Sequence, residues 1–141
     1  MNRQQAIATL HATHCSCVIA NGSRLEQFHE RGVKDLHHLL HNDKALLDGA
    51  FIADKVVGKG AAALMIAGGV KEVYASVMSR AALSLFQSHG LEVEYGLLVD
   101  NIINRAGTDI CPVEKLCMQC DDIAESLRLI DEFIEKIRRA G

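Results

Sequence analysis

The chain has 141 residues, 49% hydrophobic and 23% charged, which is a globular balance at the length of one domain, taken here as residues 1–141. A formal net charge of −3 excludes a broadly basic nucleic-acid-binding surface, and no run approaches the ~18 uninterrupted apolar residues of a membrane span. Aromatic residues are only 4% and Trp is absent, so the core must be built from Leu, Ile, Val and Ala.

In chain order, Ala6, Ile7 and Leu10 share one face of a first helix over Asn2–His11. Cys15 to Ala20 reads as a strand, Asn21-Gly22 as the turn of a two-residue hairpin, and Arg24 to His29 as its return strand. Gly32 opens a helix over Val33–His41, with Val33, Leu36, Leu39 and Leu40 on its apolar side. Ala50 to Ala53 is a short strand expected to end at Asp54-Lys55. Gly58 to Ala67 is small and apolar nearly all round, so this helix should be almost wholly buried, with Gly68-Gly69 closing it.

Val70 to Val77 follows as a strand, then Ser79 as cap of a helix over Arg80–Ser88, then Leu91 to Tyr95 as another strand. A polar loop, Asn101 to Pro112, leads to a closing helix over Asp122–Arg139 with a stripe of Ile123, Leu127, Ile130, Ile134 and Ile137. Strand–helix alternation with short loops implies parallel strands and right-handed crossovers. The expected architecture is α/β, a three-layer α-β-α sandwich on a mixed sheet.

Ligands of such sheets gather at the carboxyl ends of the parallel strands, which points to Asp54, Lys55, Gly58 and Lys59. A helix N-terminus attracts anions, Gly58 would let a ligand approach the backbone, and Lys55 and Lys59 share a face if the helix starts before Lys55. This is not a P-loop, because the earlier Gly and the following Ser/Thr are missing. The bland alternative is an Asp cap beside two solvated lysines. A second candidate is Cys111, which stands before a helix N-terminus in a loop with Asn104, Arg105, Thr108 and Glu114. That setting favours a thiolate, although a small buried Cys in a capping turn would look the same.

Metal-ligand spacings are incomplete. Cys111, Cys117 and Cys120 give one Cys-x-x-Cys pair, and His14, Cys15 and Cys17 cluster near the start. His37 and His41, beside His38, are one turn apart and could share a metal on one helix face, but without the intervening Glu of a metalloprotease a solvated face is the expectation. No metal and no cofactor are expected. Five cysteines, and a start (Met1-Asn2-Arg3-Gln4-Gln5) without an apolar run, suggest reduced thiols in a cytoplasmic protein.

Three separated segments carry a resemblance: Gly49 to Ala63, Gly69 to Ala75, and Ile103–Thr108 with Cys111–Lys115. In their order and content the chain resembles DUF1893, an uncharacterised bacterial and archaeal family. The resemblance implies a cytidine-deaminase-like fold and no established activity. A zinc deaminase needs His (or Cys) and Glu at one helix start and Pro-Cys-x-x-Cys at the next, so that thiolate or imidazole holds the ion. Threaded on this sequence those motifs fall near Ala53-Asp54-Lys55 and Val77-Met78-Ser79-Arg80-Ala81, where no Cys or His occurs. The expectation is a deaminase shape without deaminase zinc chemistry.

The function that the candidate residues themselves suggest is binding of a small anionic metabolite or nucleotide, by Asp54, Lys55, Gly58 and Lys59 facing Asn104, Arg105, Thr108 and Glu114. The alternatives are an enzyme using Cys111 as nucleophile or redox thiol, with Asp54 as a general base, and a non-catalytic interaction module. Neither nucleic acid nor membrane is an expected partner, while self-association is compatible with the fold.

Overall fold

In the computed structural model, residues 2–29, 33–103, 107–118 and 122–140 are described. The chain runs α1 (Asn2–Ala12), β1 (Cys17–Asn21), β2 (Arg24–Phe28), α2 (Lys34–Asn42), α3 (Lys44–Leu47) and β3 (Phe51–Val57). It continues through α4 (Lys59–Gly68), β4 (Glu72–Ser79), α5 (Arg80–Ser88), β5 (Glu92–Val99), α6 (Pro112–Cys117) and α7 (Ile123–Ala140). The sheet order is β2-β1-β3-β4-β5. β1 is antiparallel to both β2 and β3, whereas β3, β4 and β5 are parallel, as the strand–helix alternation requires.

Side chains alternate across the sheet and feed two cores. Ile19, Ile52 and Val73 enter the larger one with α2 through α7, while Val18, Phe51 and Ala53 pack with Ala6 and Leu10 of α1. α4 touches α2, α3, α5, α6 and α7, which explains why residues 59–65 are all buried and why its sequence is apolar all round. Among the described residues no helix is long and apolar enough to cross a membrane.

The alternation slips once, at the same level in three strands. Pairing skips Lys55 opposite Ser76 and Ser76 opposite Gly96, then resumes at Val56, Val77 and Leu97. Before the slip Ile52, Val73 and Val93 face the larger core; after it Val57, Met78 and Leu98 do, each an odd five residues on. The shift turns Val56 and Leu97 out to solvent.

Two expectations need correction, and one element is new. The hairpin turn is Gly22-Ser23, since Asn21 still pairs with Arg24. Asn21 stays in the strand and its amide donates to the carbonyls of Ala45, Leu46 and Asp48. β3 does not stop at Asp54-Lys55 but runs on to Val57, because Asp54 is carried into the interior and Lys55 N donates to Ser16 O at 3.0 Å. The one-turn helix α3, which the sequence reading left out, buries Leu46 and Leu47.

Close packing of α4 on α6 depends on Gly60, where a Cβ would lie 2.3 Å from Val113 Cγ1. Gly60→Ala is expected to lower stability by about 1–3 kcal/mol, the usual cost of overpacking, in spite of the better helix propensity of Ala. Urea denaturation checks this; an unchanged midpoint would mean that α6 is not seated on α4.

Candidate functional site

Among the described residues five polar side chains are buried; Lys59 and Ser79 stand at the carboxyl ends of β3 and β4, Glu114 reaches them from α6, and Asp54 lies in the middle of β3. The best-connected is Glu114. Pro112 starts α6, so Glu114 sits in its first turn and reaches back to the sheet. Its Oε1 accepts from Lys59 N at 2.8 Å and from Ser79 Oγ at 2.9 Å, and its Oε2 from Ile102 N at 2.5 Å. Ser79 Oγ in turn accepts from Ala82 N at 3.2 Å and so caps α5, as its position in the sequence suggested.

The N-terminus of α4 therefore holds an anion already, and that anion is the protein's own carboxylate. Gly58, the residue before α4, is what lets it in: a Cβ there would stand 3.1 Å from Glu114 Oε1 and 3.2 Å from Ile102 Cγ1.

Asp54 shares a sheet face with its ladder partners Cys17 and Ala75, both members of the larger core. Burial raises its carboxyl from 3.8 to about 7; hydrogen bonds from the Val56 and Lys55 amides oppose the rise, and the charge of Asp35 on α2 adds to it. Burial, with the charges of Asp54 and Asp35, likewise pushes the Cys17 thiol well above its ordinary 9.0. Cys17 is thus held as a neutral thiol at neutral pH.

The other expected site residues divide. Lys55 is half-buried in β3 and Lys59 begins α4, so the two do not share a helix face; the helix starts four residues later than that arrangement needs. Thr108 is exposed, and Asn104 and Arg105 lie outside the described residues. Cys111 is partly exposed immediately before α6, its N–H donating to Ile102 O at 2.7 Å. Cys15, Cys17 and Cys117 are buried and not in disulfides, and Cys120 lies outside the described residues.

Ala53-Asp54-Lys55 is strand interior and not a helix start, which corrects the threading of the first deaminase motif. The starts of α2, α4 and α5, at Val33-Lys34-Asp35, Gly58-Lys59-Gly60 and Ser79-Arg80-Ala81, carry no Cys or His. For His37 and His41 the sequence leaves a shared metal ion as the alternative to a solvated face; the structure brings both to Asp131 of α7. Nothing local in the sequence pairs residues some ninety positions apart.

The profile of DUF1893, a domain of unknown function, matches residues 5–134. The chain belongs to this family. A crystal structure of a DUF1893 protein from Thermotoga maritima is similar with a TM-score of 0.84 at 26% identity, over 92% of this chain and 87% of that one. No curated protein matches the chain.

In this DUF1893 chain the raised Asp54 carboxyl has a direct consequence for stability. The native state keeps the proton up to about pH 7, while the unfolded chain releases it near 3.8. The stabilisation is therefore complete below the unfolded value and is lost as pH rises through the native one. Asp54→Asn, a neutral isostere, should escape this. Between pH 5 and pH 8 the wild type should lose about 2–3 kcal/mol more than the variant in urea titrations, and parallel pH profiles would show that Asp54 ionises normally.

Proposed function

We propose that this DUF1893 protein is a small-molecule-binding domain with a deaminase-like, three-layer α-β-α fold that takes a compact anionic metabolite or nucleotide. The observation that carries the reading is the gathering of buried Lys59, Ser79 and Glu114 at the carboxyl ends of β3 and β4, where open α/β sheets bind ligands, with buried Asp54 further back along β3. A buried polar group is costly unless partnered, so three at one edge mark a place where the fold gives up packing for polar chemistry. Glu114 forms the fixed wall. Lys59 and Lys55 supply cationic charge, and Asp54 offers a carboxyl that titrates near neutrality; Asn104, Arg105 and Thr108 are the further polar residues that the sequence offers for the ligand.

The deaminase-like fold is supported by helices on both sheet faces and by the hairpin followed by alternating units. The helix starts from α2 to α5 carry no thiolate or imidazole, so a deaminase-type zinc has no ligands there. An enzyme working through Cys111 is a second reading, supported by the partial exposure of that thiol ahead of α6. Self-association is supported by the outward Val56 and Leu97, and a cytoplasmic location by cysteines that are not in disulfides.

Thermal-shift titration with nucleotides, sugar phosphates and dicarboxylates tests the reading on the wild type and on Lys55→Ala/Lys59→Met. One class should raise the wild-type Tm and leave the variant unmoved. No shift in the wild type with any class, or equal shifts in both proteins, would refute it.

A further inference from the structure

α2 and α7 meet in a cleft of about 440 Å3, lined by Lys34 and Arg138 as well as by histidines of α2. On its rim His37 Nε2 lies 2.7 Å from Asp131 Oδ1, and His41 Nε2 lies 3.4 Å from the same oxygen. The two imidazole centroids are 4.5 Å apart, at 63°. Among the described residues this is the one group of three His, Cys, Asp or Glu whose donor atoms could share an ion, all within 4.8 Å of one another.

We propose that His37, His41 and Asp131 bind a divalent transition-metal ion, with Zn2+ the best fit, bridging α2 to α7. Ligand bonds of roughly 2.0–2.1 Å in a tetrahedral site put neighbouring donor atoms about 3.3 Å apart. The two distances to the Asp131 oxygen, 2.7 and 3.4 Å, straddle that separation, and all three donors lie within 4.8 Å of one another. Two histidines four apart on a helix present imidazoles from one face, the arrangement by which helices hold zinc. Two imidazoles and one carboxylate are borderline ligands, suited to Zn2+ rather than to Ca2+ or Mg2+.

The frame is also rigid where it needs to be. Leu36 and Leu39 bury the inner side of α2, and Ile130 and Ile134 bury that of α7, so both ligand-bearing helices are fixed by core packing. His41 and Asp131 are 52% and 51% exposed and His37 15%, which gives an ion access from solvent. Three protein ligands leave a fourth position for water or an anionic oxygen, and the neighbouring Lys34 and Arg138 favour the latter. No Glu stands between the histidines to act as a general base, so the inference is of binding and not of peptide hydrolysis.

Calorimetric titration of Zn2+ into the metal-free full chain, with a Co2+ absorption spectrum, tests this. One saturable site per chain is expected, with a raised Tm and no sulfur-to-metal charge-transfer band. His37→Ala, His41→Ala and Asp131→Asn should each weaken binding at least about 10-fold. His38→Ala, whose ring meets Asn42 instead, should leave it unchanged. Absence of saturable binding, a thiolate band in the Co2+ spectrum, or wild-type affinity in His41→Ala or Asp131→Asn would overturn the assignment.

Discussion

Three segments far apart in the chain end on the side chain of Glu114. Lys59 reaches it from the β3–α4 junction, Ser79 from the β4–α5 junction, and Ile102 from the segment after β5. Two of the three bonds, from the Lys59 amide and the Ser79 hydroxyl, are buried, and losing a buried bond costs about 1–3 kcal/mol. One carboxylate therefore fixes where α4 begins, where α5 begins and how the chain leaves the sheet. The position of α6 follows, because Glu114 can reach all three only when α6 lies against α4 over Gly60.

This constraint changes the meaning of the polar sheet edge. A helix N-terminus with an adjacent glycine invites an external anion, yet here Gly58 admits an internal one. The positive end of α4 is neutralised from within, and any ligand must be recognised by side chains around Glu114 and not by the bare helix end. Asp54 is the complementary feature. It has no cation among the causes of its shift, and burial leaves it protonated close to neutral pH. Glu114 is thus held by hydrogen bonds at the sheet edge, whereas Asp54, inside β3, is governed by desolvation.

Much of the scaffold was legible in the sequence because its cues are local. Glycines separate the units, Ser79 caps α5, and the all-round apolar character of 58–67 matches a helix with neighbours on most of its sides. The reading failed where a residue's role is set at long range. Asp54-Lys55 looked like a strand end because charge normally marks a surface, whereas β3 is flanked by β1 and β4 and continues through it. Glu114 was seen as part of a loop site, but its three donors lie 12 to 55 residues away. Asp131 could not be joined to His37 and His41 before α2 and α7 were known to be neighbours.

Amide hydrogen exchange on Glu114→Ala, compared with the wild type, tests the role of Glu114 most directly. The Lys59 and Ile102 amides should lose protection together, while those of Val18 and Ile52 in the sheet centre keep theirs, since local openings leave core strands closed. Unchanged protection at Lys59 and Ile102 would contradict the account, because it would mean that the two segments are held without the carboxylate.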